Sequence, residues 1–197
     1  MLTLTTRQQF FVGLALAFLM LLTRSHHWAS LHSLPDASWA IFFLLGMYVR
    51  PLWVVPALIA ASVIIDYDAI TWGGVSSFCV SPAYWLLFPA YLALFAGGRW
   101  AARGHRWSLL GLARMAGIAF VVVAVAEALT SGGFYFFSGR FAEPTLAEFW
   151  PRVEKYFPHM LGTFALYAGL AIAVHGALAA VFRPDANPRT LIGKHGE

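Results

Sequence analysis

Long apolar stretches alternate with short polar ones along the whole chain, and this pattern predicts a bundle of membrane-spanning helices. The stretches 10–22, 82–97 and 115–129 are almost free of charged residues. A helix needs about 20 mainly apolar residues to cross a hydrocarbon core of roughly 30 Å, and fewer where the bilayer thins. The pattern therefore predicts an all-α integral membrane protein.

Six spans are predicted, at about 8–23, 37–49, 52–66, 82–98, 109–131 and 158–182. Arg50-Pro51 separates the second span from the third, because a charge followed by a proline ends one helix and starts the next. At about 1.5 Å per residue, these two spans reach only about 20 Å. They are expected to extend into their flanks, to meet a thinned bilayer or to lie partly within the bundle. A five-span alternative would fuse them across the junction.

The longest predicted connection, 132–157, joins the last two spans on the outer side. The connection begins within SGGFYFFSGRF, a cluster of aromatic residues with glycines that act as hinges. It continues as EPTLAEFWPRVEKYF, whose apolar residues fall on one side of a short amphipathic helix. Such a helix suits the membrane interface or the cap of a cavity. With a cytoplasmic tail at 183–197, this loop completes a single membrane domain covering 1–197.

Charge supports the membrane class and sets the predicted orientation. Of the 197 residues, 60% are hydrophobic and 11% are charged, against roughly 25% charged in soluble domains. Nine of the thirteen Lys and Arg residues fall at the N-terminus, in the 2–3 and 4–5 connections and in the tail, and four fall elsewhere. Because cytoplasmic loops are enriched in Lys and Arg, both termini are predicted to be cytoplasmic. The basic residues are dispersed without a basic-aromatic module, which excludes a nucleic-acid-binding class.

The polar stretch 66–84, DYDAITWGGVSSFCVSPAY, contains the only cysteine of the chain, Cys79. A lone cysteine is most often a small buried hydrophobic residue, whereas a thiolate is a good ligand for a soft or borderline transition metal. The loop-like neighbours of Cys79 and its predicted place on the outer, oxidising face favour a thiol that is used or shielded. With no second cysteine, an intramolecular disulfide is excluded.

Acidic and histidine side chains add to the predicted outer site. Asp66 is placed at the outer end of the third span, where an acid is costly and needs a partner. That partner is expected to be Arg152, a histidine or donor groups on a ligand. The adjacent His26 and His27 are either metal ligands or interfacial residues. The chain has no zinc motif and no P-loop, so neither a zinc centre of its own nor P-loop ATP hydrolysis is predicted.

Small residues mark one side of the first span. Gly13 and Ala17 are four residues apart, with Ala15 between them. A stripe of this kind lets another helix approach closely. The stripe therefore predicts a packing partner for this part of the first span.

Six predicted spans, an outward-facing polar site and the lack of a P-loop together resemble the substrate-binding S-components of energy-coupling-factor (ECF) vitamin transporters. More specifically, the chain is similar to the BtuM group of small cobalamin transporters of Gram-negative bacteria. The resemblance covers nearly the whole chain. The residues that carry it are His27, Asp66-Tyr67-Asp68, Cys79, Ser81-Pro82-x-Tyr84 and Trp150-Pro151-Arg152.

The resemblance implies uptake of vitamin B12 (cobalamin or a related corrinoid) across the inner membrane of a bacterium, with the binding site facing the periplasm. Cobalamin is then the transported ligand, and no cofactor of the protein's own is expected. Cys79 is implied as the axial ligand of the corrin cobalt and as the group that would remove cyanide from cyanocobalamin. The other implied ligand-binding residues are His27, Asp66, Tyr84 and Arg152.

The resemblance also implies partners besides the lipid bilayer. The stripe of Gly13, Ala15 and Ala17 would dock on a coupling module made of a transmembrane subunit and ATPases. Three alternatives stay open. The chain is an S-component for a different vitamin, a thiol-dependent membrane enzyme with Cys79 and His27 as a dyad, or a structural scaffold.

Overall fold

The computed structural model describes residues 4–24, 34–103 and 108–181, and every regular element in those ranges is helical. The helices are α1 Thr6–Arg24, α2 Ser38–Tyr48, α3 Val54–Thr71, α4 Leu87–Ala102, α5 Leu109–Glu127, α6 Gly133–Phe137 and α7 Leu146–Val181. Two short 3-10 turns, Ser77–Cys79 and Pro82–Leu86, lie between α3 and α4, and a π-helical turn, Ala128–Gly132, joins α5 to α6. The predicted all-α class is confirmed.

Four helices are long and apolar enough to cross a membrane. They are Thr6–Arg24, Val54–Thr71, Leu109–Phe137 and Leu146–Leu178. Helix α2 has 11 residues and α4 has 16, so both are shorter than a typical span. The count of six spans and the side on which the termini lie therefore stay predictions.

Helix α2 is the centre of the bundle. Every residue from Ser38 to Met47 is buried, as expected for a helix that is apolar on all sides. It packs most extensively on α4 and also contacts α1 and α7. Its length of about 16 Å agrees with the expectation that the second span lies partly within the bundle.

Helix α3 is longer than the sequence pattern predicted. The predicted third span ended at Asp66, but the helix continues to Thr71. Between Asp66 and Gly73-Gly74 the chain has no glycine or proline, and Gly74 has a positive φ of 69°. Asp66 therefore lies inside a helix and not at its end.

The predicted outer connection at 132–157 is also mostly helical. Helix α5 passes through the π-helical turn into α6, and the predicted amphipathic helix and last span form the single helix α7. Pro151 and Pro158 lie inside α7, where each removes one backbone donor without ending the helix. The remaining connection is residues 138–145, in which Gly139 has a φ of 71° just after the end of α6.

Helices α2 and α4 touch through two glycines. A Cβ atom on Gly46 would collide with the carbonyl oxygen of Phe95, and one on Gly98 would collide with that of Phe43. Only glycine permits this approach, because a backbone carbonyl cannot turn away as a side chain can. The closest helix contact thus arises from glycines that were not singled out in the sequence.

The small-residue stripe of α1 lies elsewhere. A Cβ on Gly13 would meet no atom within 4 Å among the described residues. Ala15 is exposed and Ala17 is half-buried. No described residue therefore packs closely on Gly13, and the docking role of the stripe stays a prediction.

Candidate functional site

A cavity of about 630 Å³ opens at the end of the bundle where α1 ends and α4 begins. We call it the Asp66 cavity. Its polar lining includes Arg24, Asp66, Tyr84 and Arg152, and its aromatic lining includes Phe78, Phe134, Tyr135, Phe141, Phe149 and Tyr156. A mainly apolar wall with a few converging polar groups is typical of a small-molecule binding site.

The floor of the Asp66 cavity is a buried ion pair between Arg24 and Asp66. Arg24 Nε donates to Asp66 Oδ1 and Arg24 Nη2 to Asp66 Oδ2, each at 2.7 Å. The Arg24 side chain is 8% exposed and that of Asp66 is 24% exposed. Such a bidentate arrangement is among the strongest hydrogen-bonded pairs in proteins. It fixes the end of α1 to the middle of α3.

The remaining donors of Arg24 reach two more helices. Arg24 Nη1 donates to the Tyr91 hydroxyl at 2.6 Å and to Ser38 Oγ at 2.9 Å. Ser38 Oγ in turn donates to Asp36 Oδ1 at 2.6 Å, and Asp36 Oδ2 lies 3.7 Å from Arg24 Nη1. One guanidinium therefore ties α1 to α2, α3 and α4 beneath the cavity.

Tyr84 joins the same network from the turn Pro82–Leu86. Its hydroxyl donates to Asp66 Oδ2 at 2.7 Å. Asp66 thus accepts three hydrogen bonds, two from Arg24 and one from Tyr84. An ionised carboxylate has about four acceptor positions, so the described residues leave one position of Asp66 for a further donor.

The partner of Asp66 differs from the expected one. We expected Arg152, a histidine or a ligand, whereas the described residues supply Arg24 and Tyr84. Arg24 had not been singled out as a site residue. The signal in the sequence is its position four residues after Met20, on the stripe of α1 that buries Leu16, Met20 and Thr23.

Arg152 forms part of the opposite wall. Its Cζ lies 4.7 Å from the ring centre of Phe141 and 5.2 Å from that of Tyr135, which are cation–π distances. Within the described residues its guanidinium has no hydrogen bond and no ion pair. Its donors are consequently available to a ligand in the cavity.

Tyr135 holds that wall in place. It is buried, and its ring stacks on Phe149 with centres 5.4 Å apart and lies 4.5 Å from Phe141. Its hydroxyl donates to Glu148 Oε2 at 3.1 Å. The contact fixes the end of the α5–α6 segment against the start of α7, so two separate parts of the chain present one aromatic surface.

Cys79 belongs to a turn that borders the cavity. The turn Ser77–Cys79 is capped by Ser76, whose Oγ accepts from the backbone N–H of Phe78 at 3.2 Å. Phe78, the residue before Cys79, lines the cavity. The side chain of Cys79 and the whole of His27 lie outside the described part of the chain, so their predicted roles stay predictions.

Of the five predicted binding residues, three line this one cavity: Asp66, Tyr84 and Arg152. No group of three or more His, Cys, Asp or Glu side chains converges in a way that would hold a metal ion, among the residues that the structure describes. Within the described residues, the polar groups that converge on the cavity are those of Arg24, Asp66, Tyr84 and Arg152.

Glu127 is a second acidic group near the cavity. It is 3% exposed, and neither carboxylate oxygen has a well-formed hydrogen bond within 4–24, 34–103 and 108–181, although Ser131 is close by. The π-helical turn follows it at once, and Thr130 and Ser131 of that turn line the cavity. π-helical turns occur frequently at functional sites.

Comparison with known proteins leaves the family unassigned: no protein-family model matches the chain, and neither does any curated protein. The use of the Asp66 cavity is therefore inferred from its own residues and from the resemblance described above.

Proposed function

We propose that the protein is a multi-pass protein of a bacterial cytoplasmic membrane that takes up a corrinoid such as cobalamin through the Asp66 cavity. One observation supports this most. Asp66, Tyr84 and Arg152, which the resemblance implies as binding residues, line the same cavity although they come from three separate parts of the chain. The turn that ends at Cys79 borders that cavity through Phe78.

The cavity offers the chemistry that a corrinoid needs. A corrin is a flat, largely apolar macrocycle with amide groups on its edge. The aromatic wall of Phe134, Phe141 and Phe149 supplies apolar contact. The guanidinium of Arg152 would donate to amide carbonyls, and the remaining acceptor position of Asp66 would receive an amide N–H.

Cys79 would bind the cobalt of the cargo. A thiolate suits a borderline transition metal and replaces a weaker axial ligand such as water. With cyanocobalamin, exchange of cyanide for the thiolate at Co(III) releases cyanide with its electron pair and needs no external reductant. The protein would then be a transporter whose cysteine also prepares the cargo.

The positions of the charged side chains support an outward-facing site. Arg24, at the end of α1, and Leu87, at the start of α4, line the Asp66 cavity. Arg50, Arg99 and Arg103 lie around a second cavity, which Gln9 at the start of α1 and Ala102 at the end of α4 line. The arginine-rich end corresponds to the cytoplasmic side by the positive-inside rule. Energy would come from a coupling module bound at Gly13, Ala15 and Ala17, because the chain has no P-loop.

Filling the cavity is expected to weaken uptake. We expect Ser131→Phe to raise the cobalamin concentration for half-maximal growth of an import-deficient, cobalamin-dependent bacterium by about tenfold or more, since 1.4 kcal/mol of lost binding is tenfold. Arg152→Gln should act in the same direction, because it removes the positive charge and leaves two N–H donors in place of five. The control is Leu92→Phe, on the exposed face of α4, with protein amounts measured in isolated membranes. Unchanged growth of Ser131→Phe at equal protein amounts would contradict the proposal.

A further inference from the structure

The second cavity, at the opposite end of the bundle, is lined by three arginines. It measures about 290 Å³ and includes Arg50, Arg99 and Arg103 beside Gln9 and Met47. We call it the arginine cavity. Gln9 and Arg24 of α1, which line the two cavities, are 15 residues apart, or about 22 Å along the helix axis. The two cavities are therefore distinct sites.

Arg99 is held rigidly at the arginine cavity. Its Nη2 donates to the carbonyl oxygens of Val49 at 3.1 Å and Arg50 at 2.5 Å, and its Cζ lies 5.0 Å from the ring centre of Phe95. Its Nε is buried and has no acceptor among the described residues. Two neutral carbonyls orient this guanidinium, and no acidic side chain in the described part of the chain compensates its charge.

The other two arginines also lack counter-charges among the described residues. The two ion pairs within the described ranges both belong to Arg24, at the other end of the bundle. Arg50 and Arg103 are exposed, and neither guanidinium makes a hydrogen bond within the described residues. Three like charges around one small cavity repel one another, so an anion placed there would be stabilised.

An apolar groove continues from the arginine cavity along the side of the bundle. Its volume is about 350 Å³, and it shares Leu4 and Tyr48 with the arginine cavity. Val12, Leu44 and Val174 line its apolar wall. Where the two spaces meet, the Tyr48 hydroxyl lies 2.8 Å from Nδ1 of His175. A cationic cavity beside an apolar groove matches an amphiphile with an anionic head.

We propose that the arginine cavity binds the phosphate of an acidic phospholipid and that the groove holds one of its acyl chains. The planar fork of arginine matches the oxygens of a phosphodiester. Basic pockets between membrane helices on the cytoplasmic side bind such headgroups. The inference rests on the membrane location proposed above and is independent of the corrinoid.

The test compares three probes on the delipidated, purified full-length chain in detergent. The probes are dioleoylphosphatidylglycerol, dioleoylphosphatidylcholine and glycerol phosphate, which carries the headgroup chemistry without acyl chains. Apparent affinity is read from the thermal unfolding midpoint and from lipid adducts in native mass spectrometry. The variants are Arg50→Gln in the cavity and Val174→Trp in the groove, with Lys155→Gln as the matched loss of one exposed charge.

We expect phosphatidylglycerol to bind wild type at least about tenfold more tightly than phosphatidylcholine. Arg50→Gln should lower the phosphatidylglycerol affinity by about tenfold, the effect of losing one charge-assisted hydrogen bond. Val174→Trp should weaken the lipid but not glycerol phosphate, and Lys155→Gln should change neither.

Equal affinity for the two lipids, or equal behaviour of Arg50→Gln and Lys155→Gln, would overturn the inference. Equal protection by glycerol phosphate and phosphatidylglycerol would overturn the lipid as occupant, since it would indicate a site for a free phosphate. Cobalamin binding measured on the same preparations separates the two proposals. If wild type prefers phosphatidylglycerol but does not bind cobalamin, the proposed function is contradicted and this inference is not.

Discussion

Replacing Arg24 with methionine is expected to lower the free energy of unfolding by about 3 kcal/mol. Removing one partner of a buried ion pair typically costs 3–5 kcal/mol, because the other charge stays buried without compensation. Asp66 is 24% exposed, so water screens part of its charge and the lower end of that range applies. The loss of the Tyr91 and Ser38 hydrogen bonds acts in the same direction.

The measurement is the thermal unfolding midpoint of purified variants in one detergent. Arg140→Met is the matched control, because Arg140 is exposed and its Cζ lies 5.0 Å from the ring centre of Phe78. An exposed cation–π contact is worth at most about 1 kcal/mol. The double variant Arg24→Met with Asp66→Leu should recover part of the loss, since it removes both charges. Equal midpoints for Arg24→Met and Arg140→Met would show that the pair does not stabilise the fold.

Replacing Gly98 with alanine is expected to be at least as damaging, at about 3 kcal/mol or more. The new Cβ would meet the carbonyl oxygen of Phe43, which belongs to the backbone of the buried helix α2. The collision is relieved only by separating α2 from α4, which opens the centre of the bundle. Ordinary overpacking costs 1–3 kcal/mol, and more where the backbone has to move.

A graded series of glycine variants checks this account. At Gly97 the added Cβ would meet the Val122 side chain, so Gly97→Ala should cost less than Gly98→Ala. At Gly117 in α5 the space is open among the described residues. Gly117→Ala should therefore stabilise by up to about 1 kcal/mol through its higher helix propensity. Similar unfolding midpoints for all three variants would contradict the close α2–α4 contact.

The Arg24 network is also expected to orient the Asp66 carboxylate before a ligand binds. Arg24 holds the Asp66 carboxylate in one orientation, and Tyr84 donates to the same carboxylate. A binding group that is fixed before the ligand arrives loses little conformational entropy on binding. Changes at Arg24 are therefore expected to affect both stability and ligand affinity.

Helices with long, uninterrupted apolar patterns were predictable from the sequence. Helix α5 begins at Leu109, as predicted, because Ser108 accepts a hydrogen bond from the backbone N–H of Gly111 at 3.1 Å. The helices differ from the predicted spans at two boundaries. Pro158, where the last span was predicted to begin, does not interrupt α7, and Asp66, where the third span was predicted to end, does not end α3.

The sequence predicted which residues line the site better than it predicted which of them contact each other. The position of Asp66 near a predicted span end singles it out, the resemblance adds Tyr84 and Arg152 as binding residues, and the three line one cavity. The partner of Asp66 is 42 residues away in the chain, and no local periodicity specifies a contact at that distance. The same holds for Gly46 and Gly98, whose role depends on how α2 crosses α4.

The visible absorption spectrum of cobalamin mixed with purified protein tests the central proposal most directly, because it reports on the ligands of the cobalt. Wild type, Cys79→Ala and the neighbouring control Ser77→Ala are compared at equal concentrations. We predict that wild type and Ser77→Ala shift the spectrum as the thiolate binds the cobalt, and that Cys79→Ala does not. A spectrum that wild type leaves unchanged, or that wild type and Cys79→Ala shift equally, would contradict cobalt binding by Cys79.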